Sequence, residues 1–209
     1  MKAERMAKQR VVYQLKIRLQ GTKPAIWRRV QVWEEMTLPQ LHTVFQIVMG
    51  WEDCHLHEFK IGGRAYGVPD PVMDPENEHQ ADEERVRLNE VVGPVGSSFE
   101  YLYDFGDDWF HAVLVEGILL AEDGVQYPRC LAGERRGPPE DIGGPMGFDE
   151  YLETIANESH PNHEYMLEWR GPFDAESFLL DEINQDLQKA FGPGRRRPGT
   201  RKKRTGASA

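Results

Sequence analysis

Residues 11–50, VVYQLKIRLQGTKPAIWRRVQVWEEMTLPQLHTVFQIVMG, place two different periods one after the other. From Tyr13 to Gln20 apolar and polar side chains alternate, the period of a half-buried strand. Gly21-Thr22-Lys23-Pro24 turns the chain, and Ala25 to Trp33 reads as a second strand, so the pair forms an antiparallel hairpin. The period then changes. Thr37 can cap the free amides of a first helical turn, Pro39 fits that turn, and Gln40 completes a capping box. Leu38, Leu41, Val44, Phe45, Val48 and Met49 follow at helical spacing, and Gly50 stops the helix. Trp51, just past the stop, is expected to fold under the helix as a core residue.

Outward from this unit the strand pattern continues. His55 to Ile61 is a third strand, turned by Gly62-Gly63 into Arg64 to Gly67. Val86 and Leu88 lead to Asn89, an expected cap for a short helical turn. Ser98 to Tyr103 and Trp109 to Leu120 are strands joined by Asp104-Phe105-Gly106-Asp107-Asp108, whose Gly and Asp residues suit a tight connection. Residues 127–147 hold five glycines and four prolines and read as an irregular loop. Helices are expected near Asp149 to Ala156, Pro161 to Trp169 and Ala175 to Phe191, the last with Phe178, Leu179, Ile183, Leu187 and Phe191 on one stripe. Strands first and helices last argue for an α+β fold: a mostly antiparallel sheet of hairpins, helices packed on one face, and a helical C-terminal third. No internal repeat is visible.

At 209 residues the chain suits one well-buried domain. No apolar run nears the roughly 20 residues of a membrane helix, and MKAERMAKQR lacks the apolar middle of a signal peptide, so a cytoplasmic protein without membrane contact is expected. Its two cysteines, Cys54 and Cys130, are then expected as free thiols. The net charge of −10 averages unlike parts. The expected body, 11–191, carries 14 basic and 34 acidic side chains, a net of −20, between a basic N-terminal segment, 1–10, and a tail, 192–209, with seven basic residues and no acid. The tail's glycines and prolines and its lack of apolar residues predict disorder. Arg195, Arg196, Arg197, Arg201, Lys202, Lys203 and Arg204 are candidates for weak, sequence-blind contact with nucleic acid; the plainer alternative is a solvated tail that aids solubility. Asp70 to Glu84, with seven acids and no Lys or Arg, reads as a long exposed loop, with metal binding as the remoter alternative.

Several segments together resemble the plasmid pRiA4b Orf-three-like family, also labelled insertion-sequence passenger or TnpR-like proteins. They are Lys23-Pro24-Ala25-Ile26-Trp27-Arg28-Arg29, Leu41 to Trp51 with His55-Leu56-His57-Glu58-Phe59, Tyr103 to Trp109 with His111, Gly137-Pro138-Pro139-Glu140-Asp141-Ile142-Gly143-Gly144, and His160-Pro161 running to Trp169. The resemblance covers about 11–191 and implies a compact α+β domain often carried on mobile elements, with no established activity for the family as a whole. Relatives often have cysteines around the Pro-Pro-Glu-Asp segment. Here Gly137 and Ile142 occupy such positions, and Cys130 alone cannot build a structural zinc site, which takes four ligands.

The most chemical constellation is His55 and His57 on one strand face with Asp104, Asp107, Asp108 and His111 around the later hairpin. Side chains at i and i+2 of a strand project together, so both histidines could reach one ion. Imidazole with carboxylate suits zinc, manganese or iron, and an open position permits metal-assisted hydrolysis. Alternatively His57 continues the Phe59 and Ile61 face as a core histidine and the aspartates satisfy turn amides. Glu140 and Asp141, with Arg135 and Arg136 just before, form a second candidate: the carboxylates as an acid and base pair, the arginines as holders of a phosphate, or the carboxylates only pinning the loop to Arg135, Arg28 or Arg29. His160 and His163 could hold a metal but sit at an exposed turn. Cys130 has no adjacent base, and the five tryptophans suit core anchors better than a base-stacking platform.

GxxxxGK, GxGxxG, GxSxG and HExxH are all missing from the chain, which argues against common nucleotide and protease chemistries. Two functions follow as expectations. The first is a non-enzymatic binding or accessory protein of plasmid or mobile-element origin, working through an unidentified protein partner, with tail contact to nucleic acid. The second is a metal-dependent hydrolase using the His/Asp cluster. No organic cofactor is expected; a divalent metal is the one open option.

Overall fold

The computed structural model describes residues 10–69 and 80–192. The tail residues Arg195 to Arg204 and residues 1–9 lie outside them. Eight strands, β1 (Val11–Leu19), β2 (Trp27–Trp33), β3 (His57–Ile61), β4 (Arg64–Gly67), β5 (Ala81–Asp82), β6 (Ser98–Tyr103), β7 (Trp109–Leu120) and β8 (Arg129–Glu134), form one sheet in the order β5-β4-β3-β6-β7-β1-β2-β8. Every pairing is antiparallel except β4 with β5. Five helices, α1 (Leu38–Met49), α2 (Leu88–Val91), α3 (Gly144–Ala156), α4 (His163–Arg170) and α5 (Leu180–Phe191), complete a mixed α and β fold.

The alternation in β1 puts Tyr13, Leu15, Ile17 and Leu19 on the core face, in one cluster with Val30, Val32, Phe59, Tyr101, Val113 and the apolar stripe of α1. The helix starts as its sequence dictates: the Thr37 amide donates to Gln40 Oε1 at 3.1 Å, and Gly50 closes the far end at φ 84°. Trp51 is buried, and its indole donates to the Pro138 carbonyl at 2.9 Å. Strand period also carries Arg28 inward, since Ile26, Arg28, Val30 and Val32 share a face. The buried guanidinium donates to the carbonyls of Val48, Trp27 and Glu134 at 2.6, 2.8 and 2.9 Å, tying β2 to β8 and to the last turn of α1. Burial lowers its pKa to about 10. On the other face a bulge between Gln14 and Leu15 leaves Glu116 to accept a bidentate pair from Arg29 at 2.5 and 2.8 Å.

Several expectations change. Within the segment read as an irregular loop, Arg129–Glu134 pairs with β2, because β2 offers an open edge and Asn184 of α5 bonds both the amide and the carbonyl of Cys130. α3 begins at Gly144, five residues early, while α5 begins at Leu180, five residues late. The cap of α2 is Arg87 rather than Asn89; Asn89 lies inside that helix. The acidic stretch is not exposed throughout. Ala81 and Asp82 pair with β4, and Glu83 is buried, with both carboxylate oxygens at 3.0 and 3.1 Å from His57 Nε2. Of the tryptophans, Trp51 and Trp109 are core, whereas Trp169 is exposed. Cys54 and Cys130 are free thiols. No helix among the described residues is long and apolar enough to cross a membrane.

His111 lies at the centre of the sheet with no exposed surface, donating from Nδ1 to the Tyr101 carbonyl at 3.2 Å. Burial, partly opposed by the Tyr101 and Trp109 carbonyls, lowers its pKa from 6.5 to about 4. A depressed folded value means the unfolded chain binds the proton first, so this stability is complete above 6.5 and drains as pH falls towards 4. Between about pH 7 and pH 5 the folded state should lose about 2 kcal/mol through this group. Urea titrations at both pH values should show that part of the loss missing in His111→Gln; an unchanged pH dependence would contradict the assignment.

Candidate functional site

The sheet register builds the site. His57 pairs with Tyr103 across β3 and β6, and Tyr103 pairs with Trp109 across β6 and β7. Residues entering β3 therefore neighbour those leaving β6, and the Asp104 amide donates to the Leu56 carbonyl at 2.9 Å. His55, one residue further out, meets the turn of Asp104 to Asp108. A third segment, 137–144, closes over both. It holds the Gly143 amide on Asp107 Oδ2 at 3.0 Å and Glu140 Oε1 under two donors, the Glu52 amide at 2.9 Å and the Tyr103 hydroxyl at 3.0 Å.

Three carboxylates converge on one imidazole nitrogen. His55 Nε2 lies 2.9 Å from Asp141 Oδ1, 3.5 Å from Asp104 Oδ2 and 4.0 Å from Glu140 Oε2. Asp104 and Glu140 are only 9% and 10% exposed in their side chains, while Asp141 is 62% exposed and opens the cluster to solvent. Neither His55 Nε2 nor Glu140 Oε2 makes a hydrogen bond, although both atoms are buried. Asp104 and Asp141 also hold left-handed backbone, φ 57° and 55°, which aspartate tolerates better than most residues. Asp104 Oδ1 accepts from the Gly106 amide at 2.9 Å, which fixes the carboxylate and leaves Oδ2 facing the histidine.

Electrostatics favour neutral neighbours. Burial, with the Glu140 carboxylate beside it, drives the Tyr103 hydroxyl far above its ordinary pKa, so it stays a donor to Glu140. Desolvation, with Glu140 and Asp141 adding to it, likewise raises the pKa of the Cys54 thiol.

The cluster differs from the one expected. His55 and His57 do not share an ion site, because β3 begins only at His57 and the strand rule does not reach back to His55. His57 turns inward, pairs with Glu83 and stacks on His42, ring centroids 3.6 Å apart. His42 in turn donates to Asp53 Oδ1 at 2.8 Å and accepts from the Tyr101 hydroxyl at 2.7 Å. Among the described residues, the groups of ligand atoms within 4.8 Å of one another join His55, Asp104 and Asp141, or Cys54, His55 and Glu140, and leave out His57 and His111. Asp107 serves the Gly143 amide and Asp108 holds a left-handed turn position, φ 56°. The loop is not pinned through Arg135, which pairs with Glu176, nor through Arg28 or Arg29; Arg170 bonds the Glu140 carbonyl and lies 3.9 Å from Asp141. His163 meets the Thr154 carbonyl and His160 accepts the Asn162 amide, so neither joins the cluster. Burial raises the Cys130 pKa to about 11 and leaves it a thiol.

Four contributors were missed: His42, Glu83, Tyr103 and Arg170. His42 had a signal, lying one turn from Leu38 and Phe45 on the apolar stripe of α1. Glu83 was hidden in an acidic run, and Tyr103 and Arg170 depend on tertiary approach.

Cys54, Glu140 and Asp141 also line a cleft of about 530 Å³, walled elsewhere by Arg136, Arg170 and Phe173.

Comparison with known proteins gives a consistent set of relatives. The model of the family described as plasmid pRiA4b ORF-3-like protein matches residues 11–182. The uncharacterised protein y4hQ of Sinorhizobium fredii is 39% identical over 167 residues, covering 79% of this chain and 84% of the relative. The crystal structure of MM3350 from Methanosarcina mazei Go1, titled a protein of unknown function, superposes with a TM-score of 0.73 at 37% identity, covering 84% of this chain and 98% of that one. With the match spanning both hairpins, the 104–108 turn and the 137–144 segment, this chain belongs to the plasmid pRiA4b ORF-3-like family.

Proposed function

We propose that the protein is a metal-dependent hydrolase, with His55, Asp104 and Asp141 holding a divalent ion and Glu140 acting as general base. The observation that supports it is the open histidine: Nε2 faces carboxylate oxygens at 2.9 and 3.5 Å yet hydrogen-bonds to neither, and Glu140 Oε2 stands open at 4.0 Å. Donors about 2.1 Å from one ion lie about 3.0 Å apart at right angles and about 4.2 Å apart when opposite, and the His55 separations from Asp141 and Asp104, 2.9 and 3.5 Å, fall close to that range. A protonated imidazole explains them less well. Its Nε2 proton can serve one carboxylate, whereas a divalent ion answers several oxygens at once, those of the buried Asp104 among them. One imidazole with carboxylates suits zinc, manganese or iron.

A divalent ion supplies Lewis acidity and makes its water more acidic. In the hydrolysis, the water oxygen bonds to the electrophilic centre while the bond to the leaving group breaks. Glu140 Oε2 takes the water proton and returns it to the leaving group. The Tyr103 and Glu52 donors on Oε1 hold the carboxylate in place without occupying Oε2.

A second reading, a non-enzymatic accessory protein working through protein contacts, is favoured by one observation. Phe110 and Leu114, two apolar side chains of β7, are 41% and 40% exposed. The mobile-element origin, the division into basic ends around a body of 11–191, and the tail's contact with nucleic acid belong to this second reading.

Metal content and dissociation constants of untagged, full-length protein test the first reading. Wild type should take up about one equivalent of Mn²⁺ or Zn²⁺, and Asp104→Asn should weaken uptake at least about a hundredfold. Glu140→Gln should keep the metal but lose turnover; absent stoichiometric uptake, or equal uptake in Asp104→Asn, would contradict the site. For the second reading, a wild-type bait should retain a protein that a Phe110→Ser, Leu114→Ser bait loses, and identical recovery on both would remove the support.

A further inference from the structure

The cleft beside the proposed metal site has two guanidinium groups whose hydrogen-bonding capacity is not used up. Arg136 is exposed and sits over the Phe173 ring, 4.9 Å from its centroid, with no carboxylate within ion-pair distance among the described residues. Arg170 spends Nη2 on the Glu140 carbonyl, but its Nε is buried and makes no hydrogen bond. Both residues belong to the wall of the cleft, together with the Phe173 ring that Arg136 covers. That wall adjoins Glu140 and Asp141, which belong to both the cleft and the histidine cluster.

We propose that this cleft binds a phosphate monoester, with one phosphate oxygen at the metal ion and the remaining oxygens at Arg136 and Arg170. This rests on the metal reading and names its ligand class. A guanidinium presents its donors as a planar fork that fits two oxygens of an anion, and phosphate recognition uses such forks. A carboxylate has two oxygens and would exhaust them on one fork or on the metal. A phosphate monoester has three terminal oxygens and two charges, enough to meet a metal and two guanidinium groups together. The body's −20 net charge would repel such a dianion in general, so binding is confined to where these positive groups cluster. Glu52, Glu182 and Asp186 also line the cleft, and their charge disfavours an anion except where Arg136 and Arg170 meet it.

Calorimetry on the full-length chain, with and without saturating Mn²⁺, tests this with inorganic phosphate, O-phosphoserine and acetate as probes. Mn²⁺ binding is measured separately by electron paramagnetic resonance. Phosphate and O-phosphoserine should bind the Mn²⁺-loaded protein at least about tenfold more tightly than the metal-free protein, and acetate should bind more weakly than either. Arg136→Gln should cost about tenfold or more in phosphate affinity and leave Mn²⁺ affinity unchanged, because Arg136 makes no contact with the metal ligands. Stoichiometric Mn²⁺ without phosphate binding would overturn the ligand class while leaving the metal site standing. Acetate binding as tightly as phosphate, or an Arg136→Gln variant identical to wild type, would also overturn it. Phosphate binding in a protein that takes up no Mn²⁺ would instead overturn the metal reading and this bridging arrangement with it.

Discussion

The approach of Gly137 to the Met49 carbonyl oxygen leaves no room for a side chain: a Cβ at 137 would sit 2.0 Å from that oxygen. This contact presses the 137–144 segment against the end of α1. Neighbouring bonds then fix its course: the Trp51 indole holds the Pro138 carbonyl, the Glu52 amide holds Glu140, and Asp107 holds the Gly143 amide. Gly144 is equally confined, at φ 67° with the Asp107 carbonyl 2.3 Å from where a Cβ would lie. Arg28 secures the other partner, tying the last turn of α1 to β2 and β8. Without this seating Glu140 and Asp141 would have no fixed relation to His55, just before β3, and Asp104, just after β6.

Three carboxylates stand around one imidazole. Their mutual repulsion is only partly relieved by Arg170, 3.9 Å from Asp141, and by the Tyr103, Glu52 and Gly106 donors. Buried or half-buried charges of one sign carry a desolvation cost that apolar residues of the same size would avoid. The contrast with His57 is instructive. There one imidazole meets one buried carboxylate, Glu83, and both oxygens are engaged, an arrangement that closes on itself. At His55 the donors and acceptors do not match, and two of the carboxylates, Glu140 and Asp141, line a cleft.

Most of the strand positions were legible because period 2 is a local property: Ser98–Tyr103 and Trp109–Leu120 come out as read, and so does the helix from Leu38 to Met49. The same period would have placed Arg28 inside, since it shares a face with Ile26, Val30 and Val32. What local pattern could not supply was pairing. Arg129–Glu134 becomes a strand because β2 has an edge to offer, not because its own sequence alternates cleanly. The site shows the same division. His55 and Asp104 were recognisable as residue types suited to a metal, and Glu140 and Asp141 as an acid and base pair, but the meeting of all four depends on the register of β3 with β6 and on a glycine contact about ninety residues away. Grouping His55 with His57 failed because a two-residue spacing specifies a shared face only inside a strand, and β3 starts at the second histidine.

The family match accounts for the fold, and the relatives of Sinorhizobium and Methanosarcina bring no activity to transfer. The functional claim therefore stands on the His55 cluster itself. Anomalous diffraction from crystals of the full-length protein grown with Mn²⁺ tests it most directly. One strong peak is expected about 2.1 to 2.3 Å from His55 Nε2, Asp104 Oδ2 and Asp141 Oδ1, with Glu140 Oε2 facing it. A map with no peak there, and His55 hydrogen-bonded to a single carboxylate, would contradict it.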